Sequence, residues 1–154
     1  MSAFDFDKDL VSGQKAQDIV LGKLHRKYPT ARQVPGNFKF WDIEVPEADI
    51  TVEVKNDLRA GETGNYYIET RTKEPWTPSG INNTKSDWWV IYDGECLVWI
   101  KTPWLRVFLM GLHERKNQPP ANVKDGLVMW GYLVNREQLF AFIKMNSCGK
   151  IEKC

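Results

Sequence analysis

Residues 50–55, Ile-Thr-Val-Glu-Val-Lys, alternate apolar and polar side chains without a break. A period of two is the signature of a strand with one dry face and one wet face, and it does not suit a half-buried helix. The wet face carries Glu53 and Lys55, a carboxylate and an ammonium two positions apart. Alone, such a pair is most often a solvated ion pair on a surface strand, so its surroundings decide what it means. Upstream, residues 38–45 (Phe-Lys-Phe-Trp-Asp-Ile-Glu-Val) read as a second strand, joined to the first by the turn Pro46-Glu47-Ala48-Asp49. A tight turn there lets Asp42 on one strand and Glu53 on the next converge on one face. Asp49 is an alternative first acid, although Asp is favoured in turns on its own account. Two converging carboxylates form a hard-oxygen site suited to Mg²⁺ or Mn²⁺. Lys55 shares the face of Glu53, where an ammonium can orient water or stabilise charge on a phosphoryl group.

The rest of the chain supplies a frame for these strands. Leu10, Ile19, Val20, Leu21 and Leu24 form an apolar stripe that predicts a helix over 9–28, stopped by Pro29. A turn-rich connector covers 29–37. A third strand is expected at 65–71, after a polar linker, and 73–86 reads as a loop rich in Pro, Gly, Ser and Asn. Residues 87–93 and 96–101 read as a hairpin turning at Gly94-Glu95. Thr102 is placed to cap a helix from Pro103 to about Leu112, with proline in the tolerated first turn. A loop over 116–126, a strand over 127–134, a helix over 136–145 capped by Asn135 and a tail complete the pattern. There is no internal repeat, and one α+β domain over 1–154 accounts for this order.

Composition narrows the partners less than the motif does. The net charge of +1 advertises no general nucleic-acid field, though a local basic groove remains compatible with it. Asp5, Asp7 and Asp9 make the start acidic; Lys23, His25, Arg26, Lys27, Arg32 and Lys39 make the next stretch basic, as a solvated face or a phosphate-contacting patch. Cys96, Cys148 and Cys154 have no metal or disulfide spacing. No apolar leader or membrane-length apolar run is present, so a soluble protein in a reducing cytoplasm, without a membrane partner, is expected. Seven tryptophans suit a core, an interface or base stacking. Trp88, Trp89, Trp99 and Trp130 fall in strands and suit core or dimer packing, whereas Trp76 falls in a loop, to pin it or to stack on a base.

Asp42 followed by Glu53-Val54-Lys55 resembles the PD-(D/E)xK nuclease superfamily, which includes restriction enzymes, Holliday-junction resolvases and some homing endonucleases. "TGNYYIE" and "PSGINNTKSDWWVIY" resemble the segments that follow the motif in small phage and bacterial members. The likeness spans roughly residues 10–140. It implies a restriction-endonuclease-like core: a central mixed sheet with an antiparallel three-stranded meander, flanked by helices. It also implies metal-dependent hydrolysis of DNA, of the resolvase, homing or phage-processing type. Asp42 and Glu53 would be the metal ligands with the Val54 carbonyl as a third, Lys55 the catalytic lysine, Mg²⁺ the cofactor and Mn²⁺ its substitute. Chains this short in the superfamily often form homodimers or higher homo-oligomers, in the host cytoplasm if phage-encoded.

Two departures stand out. Trp41 replaces the proline of the motif's name, and Gln17 stands where many members place a glutamate on the first helix; Asp18 beside it points about 100° away. A silent DNA-binding or assembly module of the same fold is the alternative. Glu69 reads either as an additional acid near the metal or as a strand charge facing solvent. Lys85 in the glycine-containing loop, Arg106 on the helix after Thr102 and Lys39 are placed to contact a nucleic-acid backbone, as are Arg115 and Lys116. Asn65, Ser79 and Asp87 read as turn, loop and strand-start residues, and His25 and His113 as structural.

Overall fold

The computed structural model describes residues 3–35, 38, 40–72, 77–116 and 129–153, with only the backbone described for 3–10 and 115–116. Helix α1 (Ala3–His25) is followed by strands β1 (Arg32–Gln33), β2 (Ile43–Val45) and β3 (Ile50–Asn56). Helix α2 (Ala60–Thr63), strands β4 (Asn65–Thr72), β5 (Thr77–Pro78), β6 (Trp88–Tyr92) and β7 (Cys96–Lys101), and helix α3 (Thr102–Leu109) come next. Strands β8 (Arg115–Lys116) and β9 (Met129–Asn135), helix α4 (Arg136–Asn146) and strand β10 (Gly149–Lys153) close the chain. The α+β class is as expected.

Ten strands form two sheets among the described residues. The larger is mixed, in the order β1-β2-β3-β6-β7-β10, and its β1-β2-β3 portion is the antiparallel three-stranded meander. Its first strand comes from the stretch expected to be only a connector. β3 runs parallel to β6, with Val52 opposite Trp88 and Lys55 opposite Ile91. The smaller sheet is antiparallel, β5-β4-β9-β8. So the strand at Asn65–Thr72 joins β9 and β5, not β3.

Alternation along β3 sorts the two cores. Val52 and Val54 join Ile43, Val45, Val90 and Tyr92 on one face, which Ala16, Val20 and Leu24 of α1 cover. The opposite face presents Trp89, Ile91, Val98 and Ile100, packed with Tyr66, Ile68 and Val134 of the second sheet, Leu105 of α3, and Leu139 and Ile143 of α4. Glu53 and Lys55 therefore belong to the face that meets the second sheet.

Several local expectations shift. The strand expected over 38–45 is confined to Ile43–Val45, because the Phe40 carbonyl is taken by the Lys85 N–H (3.1 Å) and the Thr84 hydroxyl (2.9 Å). The tail is not a tail but β10, paired antiparallel with β7. Thr102 is the first residue of α3, and its hydroxyl meets Ser86 Oγ at 3.2 Å. The Asn135 cap is as expected, its side chain accepting the Gln138 N–H at 3.0 Å. Trp89 and Trp99 are buried, and His25 meets the Ala31 carbonyl at 2.7 Å. Trp76 lies outside the described residues.

Gly80 shows why the Ser79-Gly80-Ile81 turn needs its glycine. It has φ +51°, and a Cβ there would fall 2.2 Å from the Glu69 carbonyl oxygen. Gly80→Ala is expected to cost about 2 kcal/mol or more, since left-handed backbone alone costs an L-residue 1–2 kcal/mol. Thermal denaturation checks this; an unchanged melting temperature would show that the loop relaxes freely.

Candidate active site

Register brings the first acid to the second. Ile43 and Val52 are partners on the α1 face, so their neighbours Asp42 and Glu53 both point to the other face. Asp42 sits one residue before β2 with its backbone held on both sides: its N–H donates to the Val52 carbonyl, and its own carbonyl accepts from Val34 N–H, each at 2.9 Å. Its side chain then reaches past the end of β2, where Oδ2 accepts the Val54 N–H at 2.8 Å. In a strand, one residue's N–H and C=O point the same way. The Val54 carbonyl thus faces the same open edge as the Asp42 carboxylate.

Glu53 is buried and its Oε1 lies 2.8 Å from Lys55 Nζ. The hydroxyl of buried Thr84 faces Glu53, and its single proton is shared between that acid and the Phe40 carbonyl, 2.9 Å away. A buried threonine thus stands between the acid and the segment leading into Asp42. Lys55 rests 5.3 Å from the centre of the Trp89 ring, and its charge feels Glu53, Asp42 and Glu69. Glu53 contacts the ammonium directly, and Asp42 and Glu69 act on it through their charge.

The electrostatics follow from that imbalance. Burial raises the Asp42 carboxyl, and the Val54 N–H and Lys55 only partly offset it. Burial also raises Glu53, against Lys55, and Asp42 raises it further. Burial opposes the Lys55 ammonium, but Glu53, Asp42 and Glu69 outweigh it, so Lys55 is held above its ordinary value and stays charged. A raised folded-state carboxyl binds protons that the unfolded chain has released, so its contribution falls as pH climbs from the ordinary carboxylate range through the raised values. The melting temperature of Asp42→Asn minus that of wild type is therefore expected to grow with pH across this window. A difference that is flat or shrinks with pH would contradict the raised carboxyl.

The remaining residues sort clearly. Asp49 has φ 52° and donates its N–H to the Pro46 carbonyl at 3.3 Å, so it closes the turn and is no rival to Asp42. Glu69 lies where β4 bulges against β9, half-buried, with its charge directed on Lys55. Gln17 is half-buried on α1, the helix covering the opposite face of the sheet, and so is not gathered with Asp42 and Glu53. Asp18 on the same helix accepts from Gln14 and Gln33, each at 2.9 Å. Asp87 braces β3 by accepting the Thr51 N–H at 2.8 Å. Arg106 donates to the Ile81 and Thr84 carbonyls at 3.2 and 2.9 Å, which makes it a clamp on the loop bearing Lys85. Lys85 is exposed, with Nζ 4.2 Å from the centre of the Phe40 ring. Lys39 lies outside the described residues, as do the side chains of Arg115 and Lys116. Thr84 was not signalled by the sequence, because nothing local distinguishes a threonine that meets an acid 31 positions away from one that caps a turn.

Among the described residues, no three His, Cys, Asp or Glu side chains cluster as a ready metal cage. Mg²⁺ does not require one: it commonly takes one or two carboxylates and keeps several waters. Two carboxylates with surplus negative charge, beside an outward carbonyl, fit that pattern. No described helix is long and apolar enough to cross a membrane. In comparison with known proteins, no family model, no curated protein and no solved structure matches the chain.

Proposed function

We propose that the protein is a metal-dependent endonuclease that hydrolyses DNA phosphodiesters, as the likeness of its motif to the PD-(D/E)xK nucleases implies. The observation that carries this reading is the meeting of Asp42, Glu53 and Lys55 on one sheet face, with the acids' carboxyls raised and the ammonium kept charged. Asp42, Glu53 and the Val54 carbonyl would hold the divalent cation, Mg²⁺ or Mn²⁺. Bound there, it would supply Lewis-acid polarisation of the phosphate and a more acidic water.

The chain's own groups do the rest. The Val54 N–H fixes one Asp42 oxygen and so orients the carboxylate. Thr84 and Lys55 hold Glu53. With Glu53 at 2.8 Å, the Lys55 ammonium is held charged before a cation takes up the carboxylates. It serves as a donor that aligns the attacking water and stabilises charge developing on the phosphoryl oxygens. The water oxygen bonds to phosphorus as one of its protons passes to solvent, and the bond to the sugar oxygen breaks as that oxygen takes a proton from solvent and leaves as the hydroxyl.

One observation favours a second reading, a silent DNA-binding module of this fold. The direct Glu53–Lys55 contact at 2.8 Å satisfies an acid that a working site would lend to a cation. Calorimetric titration with Mn²⁺ separates the two. The enzyme is expected to bind the ion with release of protons, because burial holds both carboxyls above their ordinary values. No heat at Asp42 and Glu53 would leave the silent module. The direct test is incubation with linear, supercoiled, single-stranded and branched DNA, with and without Mg²⁺ or Mn²⁺.

A further inference from the structure

Beside Asp42 lies a group of aromatic rings that the fold does not use as core. Phe38 is 44% exposed, and its ring meets Phe40 edge-on at 5.6 Å and Trp41 at 4.8 Å. Phe40 carries the Lys85 ammonium over its ring at 4.2 Å. Trp41 is anchored by its indole N–H, which donates to Glu44 at 3.2 Å. The group is rigidly tied to the site. The Phe40 carbonyl accepts from both Lys85 N–H and the Thr84 hydroxyl, Thr84 also faces Glu53, and Trp41 directly precedes Asp42.

We infer that Phe38, Phe40 and Trp41, with Lys85 at their edge, form a stacking subsite for an unpaired nucleobase beside the reacting phosphate. The substrate class is then DNA with a single-stranded or splayed nucleotide, not a fully paired duplex. The physical reason is that a base in duplex already has neighbours on both faces and must be extruded, at a cost of a few kcal/mol, before an aromatic ring can stack on it. An unpaired base meets no such cost, and ring stacking is tolerant of its identity. Lys85 completes the subsite, because an ammonium resting on an aromatic face can turn to an adjoining phosphate without a change of backbone. The placing of a reacting phosphate beside the subsite rests on the nuclease reading; the stacking subsite stands on its own geometry.

Anisotropy titrations without divalent cations test it, using a short labelled oligothymidylate and a blunt duplex of equal length. The full chain is expected to bind the single strand about tenfold more tightly than the duplex. Phe38→Ala should weaken single-strand binding about tenfold and leave duplex binding within about twofold. Lys85→Gln should lower the salt dependence of single-strand binding by about one counterion. Circular dichroism of each variant confirms the fold, which an exposed ring leaves intact. Equal affinity for both DNAs, no DNA binding at all, or a Phe38→Ala protein with wild-type single-strand affinity would overturn the subsite. The outcome is separable from the nuclease reading. Loss of single-strand binding in Phe38→Ala, with no cleavage by wild type in Mg²⁺ or Mn²⁺, keeps the subsite and sinks the enzyme. Cleavage of duplex and single strand alike, indifferent to Phe38→Ala, does the reverse.

Discussion

Glu53→Gln and Asp42→Asn proteins are expected to fold and yet lose on the order of 10²–10³ in DNA cleavage rate, the scale on which one preorganised charged group acts. Both substitutions keep the shape and an acceptor oxygen while removing charge. What they remove is the surplus negative charge that burial has concentrated around Lys55. For the same reason both should melt at or above the wild-type temperature at neutral pH, because the folded state disfavours those two ionised carboxyls. Lys55→Met supplies the opposite sign. It should also abolish cleavage, but its melting temperature should fall, since it leaves Glu53 without its ion partner. A common loss of activity with divergent effects on stability is a pattern that general unfolding would not produce. Cleavage by Glu53→Gln or Asp42→Asn at near wild-type rates would end the assignment.

Asp93→Ala is expected to cause the largest loss of stability, about 3–5 kcal/mol, the cost of stripping one partner from a buried charged network. The Asp93 side chain is fully buried at the turn between β6 and β7. Its Oδ1 accepts the Glu95 and Cys96 N–H groups at 3.0 and 2.7 Å, and its Oδ2 accepts the Tyr66 hydroxyl at 2.7 Å. Arg136 Nε lies 3.6 Å from the same oxygen. One carboxylate therefore joins the central sheet to the second sheet through Tyr66 and to α4 through Arg136. Alanine leaves two amides and a phenol without their acceptor and leaves Arg136 with Glu95 alone. The melting temperature should fall by about 10 °C, and urea unfolding gives the free energy directly. Asp93→Asn, which keeps an acceptor, should lose less. A loss below about 1 kcal/mol for the alanine variant would show that the network does not hold the sheets together.

The two predictions address different parts of the molecule, and they differed in how far they could be read without the fold. The candidate group was legible in part because part of its cause is local. A period of two along Ile50–Lys55 puts Glu53 and Lys55 on one face, and a short turn after Val45 lets Asp42 approach them, with Asp49 as the other acid the sequence offered. The Asn135 cap is local in the same sense, since it depends on an amide three residues on. Asp93, the last residue of the strand expected over 87–93, carried no signal of its role, because its partners Tyr66 and Arg136 lie 27 and 43 positions away.

What the sequence by itself determined is the shared face of Glu53 and Lys55, since side-chain alternation is set residue by residue along one strand. Only the tertiary structure decided what stands around them. It chose Asp42 over Asp49 as the neighbour of Glu53, laid β6 parallel against β3, sent β4 with Glu69 to a second sheet, brought Thr84 to Glu53 and kept Gln17 on the far layer. Those arrangements follow from burying two faces of one sheet at once, under α1 and under the second sheet. That is a contest among distant apolar surfaces, and no short window of residues can settle it.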